Sequence, residues 1–247
     1  MEIPVVAVVL GTYNRLALLR ACLNAIRRSV GALSYRVIVV DGGSTDGTLQ
    51  YLKDQPDVIL IEQAELLGAV RAYNAGFGEA VELGCSWIAV LNDDDLLVGP
   101  EPEIERAVAL LQADQEIGGV AFESDLRGAW QVERFRSQPT VTKGVIRRAA
   151  GMAAARAMGD PEGRQWWGHE HHTYAADQDH SLWMIRLGWQ VVAGRGLRVH
   201  DGQVQDDLRA RNARAYTTAR LFRRQWEPPG AADYHGEDAA RFGGLTR

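Results

Sequence analysis

Three adjacent carboxylates, Asp93-Asp94-Asp95, follow the apolar run Trp87-Ile88-Ala89-Val90-Leu91 and Asn92. The run reads as a buried strand. Carboxylates crowded at its end repel one another unless a cation neutralises them or they splay into water. Oxygen-only ligands suit Mg2+ or Mn2+, and Mg2+ is held by one or two carboxylates together with substrate phosphates. The stretch is therefore read as a metal–diphosphate site; the plainer alternative is a solvated turn that caps the next segment. Other strand-like runs also end on polar residues: Thr12 follows 5–10 and Asp41 follows 37–40. In a parallel sheet these ends emerge at one edge, where open α/β folds bind ligands. There Asp41 can accept a hydrogen bond from a nucleobase N–H, Asp93 can accept one from a ribose hydroxyl, and Asp94 can hold a metal that bridges a diphosphate. Asp41 also suits a plain turn before Gly42-Gly43.

The elements that would carry these residues alternate. Residues 5–10, 37–40, 58–61 and 87–91 read as buried strands, and 16–30, about 45–53 and 68–83 as helices between them. Leu16, Leu19, Leu23 and Ile26 fall on one helical face, and Ser44 or Thr45 can cap the second helix. Such alternation predicts an α/β fold with a mostly parallel central sheet and helices on both faces. The second half reads as a smaller, mixed lobe on the same sheet. A helix is expected over 101–113, a strand over 118–124, a hairpin around Trp130–Phe135 and a strand over 141–146. Helices over 149–158 and 177–187, short strands over 190–192 and 197–200, and a last helix over about 208–226 complete it. The division expected is 1–99 for a first lobe that carries the strand-end residues, 100–202 for a second lobe of the same domain, and 203–247 for a C-terminal helix and tail.

Bulk properties narrow the function. The 247 residues are 46% hydrophobic, enough for a sizeable core. Lys+Arg 27 against Asp+Glu 32 gives a net charge of −5, so no nucleic-acid partner is expected. Cys22 and Cys85 lie in apolar helical surroundings and read as small core residues. The start lacks a signal peptide's basic region, and no window is long enough for a membrane span, so a cytoplasmic location is expected. Neither a dinucleotide-binding G-x-G-x-x-G nor a G-x-x-x-x-G-K-[ST] loop is present; the only lysines, Lys53 and Lys143, lie in other contexts.

Four motifs in order then identify a resemblance. They are Thr12-Tyr13-Asn14-Arg15, Val39 to Thr48 with its Asp41-Gly42-Gly43-Ser44-Thr45-Asp46-Gly47 core, Gly68-x-x-x-Ala72-x-Asn74-x-Gly76, and Leu91 to Asp95. Together they resemble the family 2 glycosyltransferases with a GT-A fold. The resemblance covers residues 5–100 strongly and 140–200 more loosely. It implies a nucleoside-diphosphate sugar donor (UDP, GDP or dTDP), a divalent cation, Mn2+ or Mg2+, and a hydroxyl-bearing acceptor. It implies that Asp41 meets the nucleobase and that Asp93-Asp94 stands for the family's D-x-D motif, with Asp94 on the metal. Thr12, Tyr13, Asn14, Arg15, Gly68, Arg71, Asn74, Asn92 and Asp93 would line the donor. Two departures stand out: Asn92 replaces the first Asp of many relatives, and Tyr73 replaces an Arg beside Asn74. Arg71 or Arg15 would supply the missing diphosphate contact.

Asp177-Gln178-Asp179, with Leu182, Trp183, Gly188 and Trp189 beyond, resembles the family's acidic helix start, where a carboxylate is the general base. A hydroxyl is a weak nucleophile and must lose its proton as it attacks. Position favours Asp177, with Asp179 second; a helix N-terminus stabilises either anion. Trp183 stands where relatives often have Arg. His200 resembles a late His that joins the metal shell in many GT-A enzymes; the alternative is a surface His.

Two stretches are read from their residues alone. Trp166-Trp167-Gly168-His169-Glu170-His171 suggests an acceptor-binding loop, with Trp166 and Trp167 facing sugar C–H surfaces and His169 and His171 meeting hydroxyls. The alternative is a Trp pair plugging the second lobe's core. The Arg-rich last helix reads either as packed on the domain with a solvated face, or as a peripheral membrane or homodimer contact. The activity the resemblance implies is transfer of a single sugar, metal-dependent and inverting. A non-catalytic sugar-nucleotide-binding module and a sugar nucleotidyltransferase are the alternatives.

Overall fold

The computed structural model describes residues 5–125, 129–168, 176–202 and 226. In chain order the elements of the first half are β1 (Val6–Thr12), α1 (Leu16–Ser29), β2 (Tyr35–Asp41), α2 (Thr48–Lys53), β3 (Val58–Glu62), α3 (Ala69–Glu82) and β4 (Trp87–Val90). Then come β5 (Asp95–Leu97), α4 (Glu103–Ala113), β6 (Ile117–Ser124), β7 (Arg134–Phe135), β8 (Gln138–Pro139), β9 (Gly144–Arg147), α5 (Arg148–Ala157), α6 (Ala176–Arg186) and β10 (Gln190–Asp201). Eight strands form one sheet in the order β3-β2-β1-β4-β9-β6-β10-β5, with β7 and β8 as a separate hairpin. β3, β2, β1 and β4 run parallel, as do β6 and β10; β9 and β5 enter antiparallel. The expected mostly parallel α/β sheet is what the chain builds.

Alternation along β1 explains the layers. Val6, Val8 and Leu10 face a core made with Leu19, Leu23 and Ile26 of α1 and Ile104, Val108 and Leu111 of α4. Ala7 and Val9 face the opposite core, made with Val70, Tyr73 and Phe77 of α3, Ala150 and Ala154 of α5 and Met184 of α6. A strand buried on both faces needs this uninterrupted apolar run. Gly76 lets α3 lie close: a Cβ there would come within 2.4 Å of Val9 Cγ1. That approach brings Tyr73 and its neighbours to the strand ends. Both cysteines are free and buried, as expected.

Several boundaries differ from the sequence reading. α2 begins at Thr48, not at a Ser44 or Thr45 cap, because those two residues bond to Asn14 while Asp46 holds the Thr48 N–H and hydroxyl. β5 was not foreseen; three residues carry no periodicity. The two short strands expected after α6 are one, β10, whose pairing with β6 breaks between Gly194 and Arg198. The expected helix over 208–226 lies outside the described residues except for Trp226. Among the described residues no helix is long and apolar enough to cross a membrane.

Candidate active site at the strand ends

β1 and β2 pair in register so that Thr12 lies beside Asp41, the last residue of each strand. Asp41 is fully buried. Its Oδ2 accepts from the N–H groups of Gly43 (2.9 Å) and Ser44 (2.8 Å). Its Oδ1 is buried without a hydrogen-bond partner among the described residues. A carboxylate oxygen in that condition is costly unless something supplies a donor. Thr12 reaches the other way: its Oγ1 donates to Asp93 Oδ2 at 2.8 Å. Arg15 meets Asp93 Oδ1 at 2.9 Å, so one Asp93 oxygen takes a hydroxyl and the other a guanidinium. Burial pushes the Asp93 carboxyl up to about 6, although Arg15 pulls it back.

The turn after β1 is held to the turn after β2. Asn14 adopts a left-handed backbone (φ 52°), which Asn tolerates better than most residues. Its N–H donates to Ser44 Oγ at 2.8 Å, and its Oδ1 accepts from the Thr45 N–H at 2.7 Å. Asp46 Oδ2 caps α1 by accepting from the Leu16 N–H at 3.0 Å. Tyr13 lies against Gly42, its ring 3.6 Å from where a Cβ would be. The structure thus brings Thr12, Tyr13, Asn14, Arg15, Asp41 and Asp93 to one edge of the sheet. Ser44 and Asp46 also frame that edge, through the Asn14 and Leu16 N–H groups; their closeness to the turn after β1 is invisible in sequence.

The acidic cluster is larger than the triplet. Asp94, Asp95 and Asp201 each place a ligand atom within 4.8 Å of the others. Asp95 Oδ2 accepts from the Asn92 N–H at 2.7 Å, and Lys143 Nζ lies 2.8 Å from Asp95 Oδ1. The same ammonium contacts Asp201 Oδ2. Burial alone would depress Lys143, but the two carboxylates outweigh it and hold the ammonium above its ordinary value. Asp94 differs: its carboxylate has no hydrogen-bond or ion-pair partner among the described residues, while its backbone O accepts from Gly202 N. One open carboxylate beside two paired ones fits a cation that also takes diphosphate oxygens.

His200 does not join this cluster, which corrects its expected role. Side chains alternate along β10: Leu197 and Val199 are buried, Arg198 and His200 exposed. His200 therefore leaves on the face opposite Asp201, and its Nδ1 pairs with Asp125 Oδ2 at 2.5 Å. Asp201, one residue on, takes the inward position. The signal was available as period-two burial once 190–201 is read as one strand.

On α3 the two departures from the family pattern meet. The Tyr73 hydroxyl is 2.6 Å from Leu91 O and 3.0 Å from Asn92 Oδ1, so it donates into the turn that carries the carboxylates. Asn92 is thereby held to Tyr73, with its carbonyl accepting from the Cys22 thiol at 3.3 Å. Gly68 stands just before the helix with φ 92°, a conformation that favours glycine. Arg71 is exposed on the first turn and has no hydrogen-bond or ion-pair partner among the described residues. Asn74 is turned to another task than donor contact. Its Nδ2 donates to Trp167 O at 2.7 Å and its Oδ1 accepts from Trp167 N at 2.9 Å. That clamp docks the Trp pair into the core. Trp166 is 0% exposed, stacked between Phe77 and His180, and Trp167 packs on Tyr73. The expectation that both rings face an acceptor is corrected: they are the core plug. His169 and His171 lie outside the described residues.

α6 opens with the acid pair, Asp177 and Asp179, in its first turn. Asp177 is half-buried in the first turn, its Oδ1 accepting from Gln178 N at 2.9 Å. Asp179 is buried, and its Oδ1 accepts from the Trp226 indole N–H at 2.6 Å. Trp226 also meets the Trp183 ring edge-on, with centroids 5.7 Å apart.

The family model described as Glycosyl transferase family 2 matches residues 7–177. Over 124 residues the chain is 31% identical to an undecaprenyl-phosphate 4-deoxy-4-formamido-L-arabinose transferase of Aeromonas hydrophila subsp. hydrophila, covering 48% of this chain and 37% of that protein. Over 103 residues it is 36% identical to a validoxylamine A glucosyltransferase of Streptomyces hygroscopicus subsp. jinggangensis, covering 40% and 24%. The matches thus span about a third or less of those relatives' lengths. A mannosyltransferase from Pyrobaculum calidifontis, solved with GDP-Man and Mn2+, superposes with a TM-score of 0.62 at 20% identity, covering 89% of this chain and 64% of that one. S. aureus TarS 1-349 with UDP-GlcNAc gives 0.57 at 16% identity, covering 85% and 64%. At such identities the superpositions establish the fold, GT-A. With the family match covering more than half of the chain, including Thr12, Asp41 and the Asp93-Asp94-Asp95 turn, the chain belongs to the glycosyl transferase family 2.

Proposed function

We propose that this chain transfers one sugar from a nucleoside-diphosphate sugar to a hydroxyl acceptor, with inversion and with a divalent cation. The observation that carries the reading is Asp41: a buried carboxylate oxygen without a partner, beside a turn whose geometry its other oxygen fixes. Such an oxygen suits a nucleobase N–H. Thr12 and Arg15 hold Asp93 at the adjacent strand end, in reach of a ribose hydroxyl in this reading. Asp94, with Asp95 and Asp201 beside it, would hold Mn2+ or Mg2+. When bound, the cation supplies charge neutralisation for the departing diphosphate. Neighbours of the same fold were solved with GDP-Man and Mn2+ and with UDP-GlcNAc, which supports this class of donor.

Asp177 is proposed as the base. It takes the acceptor hydroxyl's proton as that oxygen attacks the anomeric carbon and the bond from that carbon to the diphosphate breaks. Its half-buried place contrasts with Asp179, which is buried under Trp226. Arg71, exposed near the start of α3, is the candidate diphosphate contact that Tyr73 does not provide. A thermal-shift series with UDP-, GDP- and dTDP-sugars, each with Mn2+ or with EDTA, tests the reading. One nucleotide class should stabilise the fold, more so with Mn2+, and the metal increment should vanish in Asp94→Ala. No shift from any nucleotide sugar refutes it.

A further inference from the structure

Lys143 is unused in the reaction just described, yet it is buried inside the acidic cluster. It is one of two lysines in a chain whose Lys+Arg total is 27. It immediately precedes β9, is 6% exposed, and contacts both Asp95 and Asp201. Asp95 is further fixed by the Asn92 N–H, so the ammonium ties the first residue of β5 to the last of β10. Of the three carboxylates that could share a cation, Asp95 and Asp201 already share one resident counter-charge, while Asp94 has no hydrogen-bond or ion-pair partner among the described residues.

We propose that Lys143 is a built-in counter-ion that keeps the cluster from capturing a divalent cation alone, so that cation and nucleoside diphosphate load together. The inference rests on the donor reading above and deepens it. Asp94, Asp95 and Asp201 carry a formal charge of −3, and Lys143 reduces it to −2. A dication approaching Asp94 meets an ammonium beside the other two ligands, and at a few ångströms that repulsion is large even with effective screening. A diphosphate brings the missing negative charge and the remaining oxygens. Lysine suits the task better than arginine, because its compact ammonium on a flexible stem can swing between oxygens, whereas a planar fork fixes them. β5 and β10 already pair directly, with Asp201 opposite Asp95, so the ammonium is not needed to join them; holding both carboxylates is what closes the cluster to a lone cation.

The test is Mn2+ titration followed by the electron paramagnetic resonance signal of free Mn2+, on the full chain, with and without UDP, GDP or dTDP. In the native protein Mn2+ alone should bind weakly, and the nucleotide that binds should tighten it at least about tenfold. Lys143→Gln should bind Mn2+ without nucleotide at least about tenfold tighter than the native protein and lose most of the nucleotide dependence. Lys143→Arg, which keeps the charge, should bind Mn2+ alone as weakly as the native protein. A folded Lys143→Gln with native Mn2+ affinity overturns the proposal. Should that variant fail to fold, the native protein still decides: Mn2+ binding as tight without nucleotide as with it overturns the proposal equally. If none of UDP, GDP and dTDP binds under any condition, the donor reading fails, and the comparison of Mn2+ alone on native protein and Lys143→Gln still decides the role of Lys143.

Discussion

Exchanging Asp41 for Asn alters one buried oxygen and almost nothing else, which makes its outcome calculable. In the native turn Oδ2 accepts from Gly43 N and Ser44 N while Oδ1 has no partner. In Asp41→Asn the amide oxygen keeps both turn bonds, and the amide NH2 replaces the unpartnered oxygen. The fold loses charge assistance on two hydrogen bonds, about 1–2 kcal/mol, and is relieved of part of the cost of a buried unpaired charge. Net stability should therefore change by about 1 kcal/mol or less. Nucleotide binding should change far more. A hydrogen bond to a charged acceptor contributes about 1.5–3 kcal/mol, or roughly 10- to 150-fold in affinity. In the variant a nucleobase N–H would meet another N–H, so the upper part of that range is expected. Isothermal titration with UDP and GDP in the presence of Mn2+ measures the loss, and inorganic pyrophosphate serves as a ligand without a base. Pyrophosphate affinity should be unchanged. A variant that binds the nucleotide as tightly as the native protein, or that loses pyrophosphate to the same degree, refutes the placement of the base at Asp41.

Two further expectations concern the Trp166 plug. Gly151→Ala would ordinarily stabilise a helix by about 1 kcal/mol. Here the new Cβ would fall 2.3 Å from Trp166 Cη2, in a ring already stacked on Phe77 and His180, so overpacking of about 1–3 kcal/mol should win; a raised urea midpoint would contradict this. His180 is buried, its Nε2–H donates to Gly151 O, and burial lowers its pKa from 6.5 to about 4. The unfolded chain then binds a proton there between those values and the folded chain does not, so the His180 contribution to stability falls as pH drops from 6.5 toward 4, by up to about 3 kcal/mol, while the raised Asp93 and Asp95 carboxyls act in the opposite direction. The His180 contribution is read as the difference in urea-denaturation stability between the native protein and His180→Gln, in which the carboxyl contributions cancel: the native protein should lose stability relative to the variant as pH falls, and a difference independent of pH would refute this.

The strand ends were legible because β1, β2 and β4 announce themselves as apolar runs that stop at Thr12, Asp41 and the Asp triplet. Parallel order then forces those stops together, and the contacts among Thr12, Asp93 and Arg15 follow. What could not be read depends on partners distant in sequence. Lys143 matched no phosphate-binding loop and so went unassigned; only the antiparallel entry of β9 beside β4 carries it to Asp95. Asp201 was passed over for His200 because the split of β10 into two short strands hid the alternation that turns His200 outward. The Trp pair, set among polar residues, resembled a binding platform. Its burial depends on Gly151 and Asn74, which leave room and hold it there. Asn92 and Tyr73, each a departure when read alone, are hydrogen-bonded to each other.

Release of nucleoside diphosphate from a panel of nucleotide sugars, measured with acceptor mixtures and Mn2+ for the native chain, Asp94→Ala and Asp177→Asn, tests these carboxylates most directly. Metal-dependent release should be seen with the native chain and lost in Asp94→Ala, while Asp177→Asn should still bind donor but fail to transfer. Release that persists in Asp94→Ala, or full transfer by Asp177→Asn, would contradict the assignment of these carboxylates.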